Sequence, residues 1–284
     1  MLIYRFILLV AITLAITLPA SAVVVFTEHF PTTSGNVSVH GWNASHSAAN
    51  VDITNLPNVS GNDVFNRAGS ISNSGAGSDP AQAGYLFAQS YARSDGQGTI
   101  TTPATDYFLY TTSQVTTPIS LLGHQSLTAN WQQSSSNLNV GVRFAIQLDN
   151  GNWYVDSTPN INAVTGGATS FVGQSADLLT SSWYALNFET GVMNPDTTTT
   201  LTYNDLLLAG SEITGVGFYI EDLPAASATS NTAGTVQQGF TTMRVDQVII
   251  DATAVPEPSR AILLGLGVLG VMMNRKRRIN VNRA

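Results

Sequence analysis

Hydrophobic and polar positions alternate with a period of two over several short stretches of this chain. Val142, Phe144, Ile146 and Leu148 alternate with Gly141, Arg143, Ala145 and Gln147, which predicts a strand buried on one face only. The same parity runs through Leu127, Ala129 and Trp131, through Tyr184, Leu186 and Phe188, and through Val216, Phe218 and Ile220. Further strands are predicted at Val23 to Phe26, Tyr85 to Gln89, Tyr107 to Thr111 and Thr242 to Asp251. Between Leu148 and Trp153, the run Asp149-Asn150-Gly151-Asn152 predicts a hairpin, with Asn-Gly supplying the two positive φ angles of a type I′ turn. No stretch between the chain ends shows sustained 3.6-residue periodicity. Connectors rich in Gly, Ser, Asn and Thr are expected at 69–84, 159–167 and 225–239. The pattern predicts an all-β fold, a two-sheet antiparallel sandwich of jelly-roll kind, with a barrel as the alternative.

The two ends break this pattern. Arg5, an apolar run from Phe6 to Leu18, and Ala20-Ser21-Ala22 read as a secretory signal peptide over residues 1–22 with an A-x-A cleavage site. A single β-sandwich domain is then expected over 23–254. The last thirty residues hold Val255-Pro256-Glu257-Pro258-Ser259, an apolar run from Ala261 to Met273, and Arg275-Lys276-Arg277-Arg278. Two prolines flanking a glutamate favour an extended, exposed segment. Thirteen apolar residues span roughly 20 Å as a helix. That is short for a bilayer core, but basic residues that snorkel can hold such a transmembrane helix with its C-terminus in the cytoplasm.

This ordered tail resembles the PEP-CTERM sorting signal of Gram-negative bacteria. The resemblance implies that an exosortase, a membrane cysteine protease, is the partner, and that the chain passes through the inner membrane during sorting. Carried over by position, it implies that Pro256, Glu257 and Pro258 are recognised and that Arg275, Lys276, Arg277 and Arg278 form the membrane stop. The destination would be the cell surface or extracellular matrix after processing. Arg260, where small or hydroxyl residues are usual, and the extension from Ile279 to Ala284 depart from the family pattern, and either could slow processing so that the anchor is retained.

Charge and composition narrow the function of the exported part. Between Val23 and Val255 stand four arginines (Arg67, Arg93, Arg143, Arg244) against seventeen Asp and Glu, a net charge near −13 that the whole-chain value of −7 conceals. Clustered Lys and Arg for phosphate contacts are missing, which argues against nucleic acid as a partner. The chain has no cysteine, so thiolate chemistry and disulfides are excluded.

Candidate chemistry is sparse. Glu28 follows the first predicted strand and Asp246 lies inside the last, an arrangement that resembles the structural Ca²⁺ pair of jelly-roll carbohydrate-binding modules. Two carboxylates brought together by adjacent terminal strands would repel unless a hard cation joined them; the alternative is two solvated carboxylates on an outer face. Trp42, Trp131, Trp153 and Trp183, with Tyr91 and Tyr154, are candidates for stacking on sugar rings. Trp131 shares parity with core positions, so Trp153 beside the turn, with Tyr154, is the better candidate for an exposed ligand-binding pair. The four histidines, His29, His40, His46 and His124, lack metal-ligand spacing, and no nucleophile elbow, phosphate loop or dinucleotide fingerprint occurs. The reading is a non-enzymatic, surface-anchored or exosortase-processed protein of the cell envelope or extracellular matrix. Its alternatives are a carbohydrate-binding module and a polysaccharide-active hydrolase.

Overall fold

The computed structural model describes residues 21–30, 35–46, 51–52, 66–72, 84–91, 93–94, 100–102, 106–135, 140–161, 171–189, 192–222 and 240–255. The strands begin with β1 (Ala22–Glu28), β2 (Gly35–Asn36), β3 (Asn43–His46), β4 (Val51–Asp52), β5 (Asn66–Ser72) and β6 (Tyr85–Tyr91). A small ribbon follows, β7 (Arg93–Ser94) with β8 (Ile100–Thr102). Next come β9 (Tyr107–Thr111), β10 (Ile119–Ser120), β11 (His124–Ser135), β12 (Val140–Leu148), β13 (Trp153–Asp156) and β14 (Asn160–Ile161). β15 (Val172–Asp177), β16 (Trp183–Glu189) and β17 (Val192–Pro195) precede one helix, α1 (Tyr203–Ala209), before β18 (Glu212–Asp222) and β19 (Phe240–Ala254).

Among the described residues these strands form two large sheets. The smaller has the order β15-β11-β19-β6-β5-β2, with β1 also on β19. The larger has the order β17-β16-β13-β12-β18-β9-β3-β4, with β10 on β18 and β14 on β12. The pairs whose registers are defined are antiparallel, β12 with β18 and β18 with β9 among them. Successive strands cross repeatedly between the sheets, the connectivity of jelly-roll-like sandwiches.

The two sheets pack face to face through the residues whose alternation predicted them. Val142, Phe144, Ile146, Leu148, Phe218 and Ile220 of the larger sheet meet Leu127, Ala129, Trp131, Val245 and Val248 of the smaller in one buried cluster. Trp131 stacks on Phe144 at 5.6 Å between ring centroids, and Trp42 stacks on Phe218 at 6.3 Å. Each fully buried large apolar side chain contributes roughly 1.5–3 kcal/mol. A cysteine-free chain must hold itself together by such burial.

Chain contacts divide the protein into two units. The sandwich body is Val24–Leu122 with Ser126–Ala252. The other unit gathers Met1–Val23, Gly123–Gln125 and Thr253–Ala284, and within it the Val255 amide donates to the Gly123 carbonyl at 3.0 Å. The signal peptide, apart from its last two residues, and the sorting tail after Val255 lie outside the described residues. Among the described residues, no helix is long and apolar enough to cross a membrane.

Two sequence expectations need correction here. The 149–152 hairpin exists, but within its loop φ is positive only at Gly151, at +84°, so the turn is not type I′. The Gly151 amide donates to the Leu148 carbonyl at 2.8 Å and the Leu148 amide to the Asn152 carbonyl at 3.1 Å, the pattern of a type I turn closed by a glycine bulge. Asn150 keeps a negative φ because its Oδ1 accepts from the Asn152 amide at 2.8 Å. Second, β5 runs through Gly69 to Ser72, and β14 occupies Asn160–Ile161, so two expected connectors begin as strand. The helix α1 is compatible with the absence of sustained 3.6-residue periodicity because it is only two turns long. Its signal is the local pair Thr202 and Asp205, whose carboxylate accepts from both the Thr202 amide and hydroxyl at 2.7 Å.

Candidate functional site

The side of β12 expected to face solvent is also covered. Arg143 is 8% exposed and Ala145 0%, because the outer face of the larger sheet carries a second apolar cluster of Phe108, Ala145, Trp153, Val155, Leu186, Met193 and Tyr219. Register explains how residues so distant in sequence meet. Gly217 pairs with both Tyr110 and Ala145, Ala145 with Val155, and Val155 with Tyr184, which places one row of side chains across five strands. In the neighbouring row Gln147 pairs with Gly215 and with Trp153, and Trp153 with Leu186.

Gly215 and Gly217 make this arrangement possible. A Cβ on Gly217 would stand 2.7 Å from the Leu109 carbonyl oxygen and 2.9 Å from Tyr110 Cβ. One on Gly215 would stand 2.9 Å from Trp153 Cη2. The bare backbone of β18 therefore forms a trough in which rings from β9 and β13 can lie. Phe108 stacks on Tyr110 at 4.8 Å and meets Trp153 edge-on at 4.9 Å. Phe188 closes against Phe108 and Tyr110, both at 5.3 Å.

Over this aromatic floor opens a cavity of about 370 Å³. Tyr110, Trp153, Leu186 and Phe188 supply its apolar wall, and Thr112, Gln147, Asn152, Asn187 and Glu189 its polar one. Asn152, Asn187, Thr112 and Glu189 are exposed, whereas Tyr110 and Phe188 are half-buried. Gln147 is held in place, its Nε2 donating to the Gly151 carbonyl at 3.0 Å and its Oε1 accepting from Thr214 at 3.3 Å. The side-chain amides of Asn152 and Asn187 make no hydrogen bond among the described residues. An apolar floor with a few polar groups at the rim, at this volume, is the form of a small-ligand site.

Beside the cavity, on the same sheet, the charges are paired with one another. Arg143 Nη2 meets Glu221 Oε1 at 2.8 Å, and Nη1 donates to the carbonyls of Asp156 (2.9 Å) and Ser157. The guanidinium also sits 5.7 Å over the Tyr184 ring. Tyr219 donates its hydroxyl to Asp106 at 2.7 Å; burial, with the Asp106 carboxylate next, pushes that phenol far above the ordinary tyrosine range. Burial also raises the Asp156 carboxyl above its ordinary value, opposed by hydrogen bonds from the Thr158 amide and Ser181 hydroxyl and by Arg143.

The residues singled out from the sequence fare differently. Trp153 is not exposed: at 4% it forms part of the cavity floor, held there by the glycine trough. Tyr154 is 5% exposed because its parity turns it into the main core, and its hydroxyl accepts from the Asn150 amide at 3.3 Å. Both still touch the cavity. Trp42, Trp131 and Trp183 are buried in the sandwich, and the side chain of Tyr91 lies outside those described.

Glu28 and Asp246 do stand on neighbouring strands, since β1 pairs with β19. The solvated alternative fails, because Asp246 is 1% exposed. Glu28 is half-buried, its carboxylate 3.5 Å from the Trp42 indole nitrogen that donates to it, and burial raises its pKa against that hydrogen bond. Among the described residues, no three His, Asp or Glu side chains gather as a metal-binding group. Pro256, Glu257, Pro258 and Arg275, Lys276, Arg277 and Arg278 lie outside the described residues.

The cavity was invisible in the sequence as a unit. Tyr110, Gln147, Asn187, Phe188 and Glu189 carried no motif; the available signal was the Gly-Val-Gly of β18, which reads as a weak strand until rings are seen lying across it.

A smaller hollow of about 340 Å³ lies over the smaller sheet, lined by Asn130, Gln132, Gln174, Ser175 and Gln247 among others.

No protein-family model and no curated protein matches the chain. Among solved structures, it is similar to the endo-1,3-beta-glucanase from Streptomyces sioyaensis, at 12% identity over 84% of this chain and 99% of that one, with a TM-score of 0.35. It is also similar to the family 11 carbohydrate-binding module of a cellulosomal cellulase of Clostridium thermocellum, at 11% identity over 85% and 91% of the two chains, TM-score 0.28. A third is the K1 cleaved adhesin domain of Lys-gingipain from Porphyromonas gingivalis, at 12% identity over 82% and 99%, TM-score 0.29. Likeness this shallow says nothing of what this chain binds.

Proposed function

We propose that the chain is an exported protein of the cell envelope or matrix that binds polysaccharide, without cleaving it, on the outer face of its larger sheet. The observation that carries this reading is the open cavity with an aromatic floor and a polar rim. Pyranose rings present apolar C–H faces and a girdle of hydroxyls, and such a wall complements both. Export is inferred from the two chain ends, and sorting by an exosortase from the Pro256-Glu257-Pro258 tail.

The non-catalytic part of the reading rests on the carboxyl count. Glycoside hydrolysis ordinarily needs two carboxyl groups facing one bond. Among the described residues the cavity is lined by one carboxyl residue, Glu189, while Glu221 is neutralised by Arg143 and Asp106 is engaged by Tyr219.

The test is a glycan array probed with the purified full chain and with Phe188→Ala, which removes a half-buried ring from the cavity wall, thermal melts establishing that the variant is folded. Binding of at least one polysaccharide, weakened about tenfold by the substitution, is the expected result, since an aromatic ring lost from a ligand wall is worth about 0.5–1.5 kcal/mol beyond the area it buries. Release of reducing sugar from any bound chain would overturn the non-catalytic part.

A further inference from the structure

The polar residues around the cavity are not equally turned towards it. In β16, Asn187 and Glu189 alternate with Leu186 and Phe188, which pack on the outer face, so their side chains leave the strand on the other side. Thr112 brings its Cγ2 methyl towards Gly215, and Asn152 stands in the hairpin loop. Gln147 is different. It lies in β12 in register with Gly215 on one side and Trp153 on the other, and so shares the face of Ala145, Trp153 and Leu186. Among the described residues that line the cavity, it is the polar one that a strand directs onto the aromatic floor.

Its amide is half-buried and held at both atoms. Nε2 donates to the Gly151 carbonyl at 3.0 Å, and Oε1 accepts from the Thr214 hydroxyl at 3.3 Å. A primary amide carries two donor hydrogens and two acceptor lone pairs. Those bonds therefore leave one hydrogen and one lone pair for another group, on an amide whose orientation is already set. Fixing a side chain before binding spares the rotamer entropy that contact with a ligand would otherwise cost.

Resting on the reading of this cavity as a glycan site, we infer that Gln147 is its specificity-determining residue, hydrogen-bonding a hydroxyl at the edge of a sugar ring whose C–H face lies against the aromatic floor. A sugar hydroxyl both donates and accepts, which matches the hydrogen and the lone pair that remain on the amide. A sugar without that hydroxyl leaves the amide desolvated and unanswered, so the site rejects it for the group it strands as well as for the bond it lacks. The 149–152 hairpin is then part of the recognition device, since the Gly151 carbonyl orients the amide.

The experiment is isothermal titration of the purified full chain and of Gln147→Met with cellotetraose, laminaritetraose, mannotetraose and galactotetraose, and with the monodeoxy forms of each that binds. Methionine keeps the length of glutamine and removes its hydrogen bonds. At least one tetraose is expected to bind wild type, and loss of one particular hydroxyl to weaken it about tenfold. Gln147→Met should bind the parent tetraose about tenfold more weakly, and loss of that same hydroxyl should then cost nothing further, the signature of a direct pair in a double-mutant cycle. A merely structural role, through Gly151 and Thr214, would weaken all forms alike and leave the cost of every hydroxyl unchanged. That result overturns the inference while the glycan site stands. No binding of wild type to any tetraose overturns the inference together with the glycan reading it rests on. Thermal melts establish that both proteins are folded. If Gln147→Met is not, Gln147→Asn, which draws the amide back by one methylene, takes its place in the same cycle.

Discussion

Arg143 ties several groups together on the outer face of the larger sheet. Its guanidinium answers the Glu221 carboxylate and two main-chain carbonyls where water has little access. Removing one partner of such a pair leaves the other charge buried and unanswered, which costs roughly 3–5 kcal/mol. Arg143→Met should lower stability by about that amount in urea denaturation, and Arg143→Met with Glu221→Gln should recover much of it. Asp156 gives a second test, through pH. Its folded pKa lies above the ordinary aspartate value, so the folded state holds the proton more tightly than the unfolded chain. Stability contributed by this group is therefore highest when it is protonated and falls as pH rises through the window between the two values. Asp156→Asn keeps an acceptor for the Thr158 amide and a donor for Ser181. In thermal melts from about pH 3 to 7, the variant should gain on wild type as pH rises and lose that advantage at the acid end. A constant difference across that range would show that Asp156 is not penalised by its burial.

At the scale of the element, two glycines separate backbone geometry from packing. Gly151 sits at φ +84° with nothing within 4 Å of the Cβ it lacks. Gly151→Ala should cost about 1 kcal/mol, all of it from the left-handed backbone of the turn. Gly217 has no such φ, but its missing Cβ would press on the Leu109 carbonyl at 2.7 Å. Gly217→Ala should cost roughly 1–3 kcal/mol from overpacking, read in the same urea series, and should disturb binding as well by moving Tyr110. In β19 the inward parity changes from Met243 and Val245 to Val248, Ile250 and Ala252, and Gln247 has a φ of 51°. That shift marks a bulge. The strand was legible from its apolar residues over Thr242 to Asp251; the bulge was not, because one inserted residue leaves both halves alternating normally.

At the scale of the whole molecule, the described sandwich and the two chain ends carry different information. The proposed sorting rests on the ends alone. Glu257→Ala, or deletion of Arg275 to Arg278, should change the size or location of the protein in cell fractions and immunoblots. The same size and location for every form would remove the sorting reading and leave the cavity untouched. Under the proposed function the sandwich carries the glycan-binding surface, and the glycan array tests that separately from sorting.

What the sequence determined by itself was local. Alternation at Val142 to Leu148, Leu127 to Trp131 and Val216 to Ile220 named the inner faces, because side chains in a strand point to opposite sides whatever lies beyond them. Turn chemistry at Asn150-Gly151 placed the hairpin, though the Asn150 side chain, by bonding the Asn152 amide, set its type. What only the tertiary structure decided was the fate of the other faces. Whether Trp153 is open depends on Gly215, two strands away in the same row, leaving room for its ring. Whether Arg143 is solvated depends on Glu221 and on carbonyls from the next strand. Those partners are set by strand order, β13-β12-β18-β9, which periodicity does not encode. The cavity is made by the juxtaposition of residues from β9, β12, β13 and β16, so it came into view only with the register that aligns them.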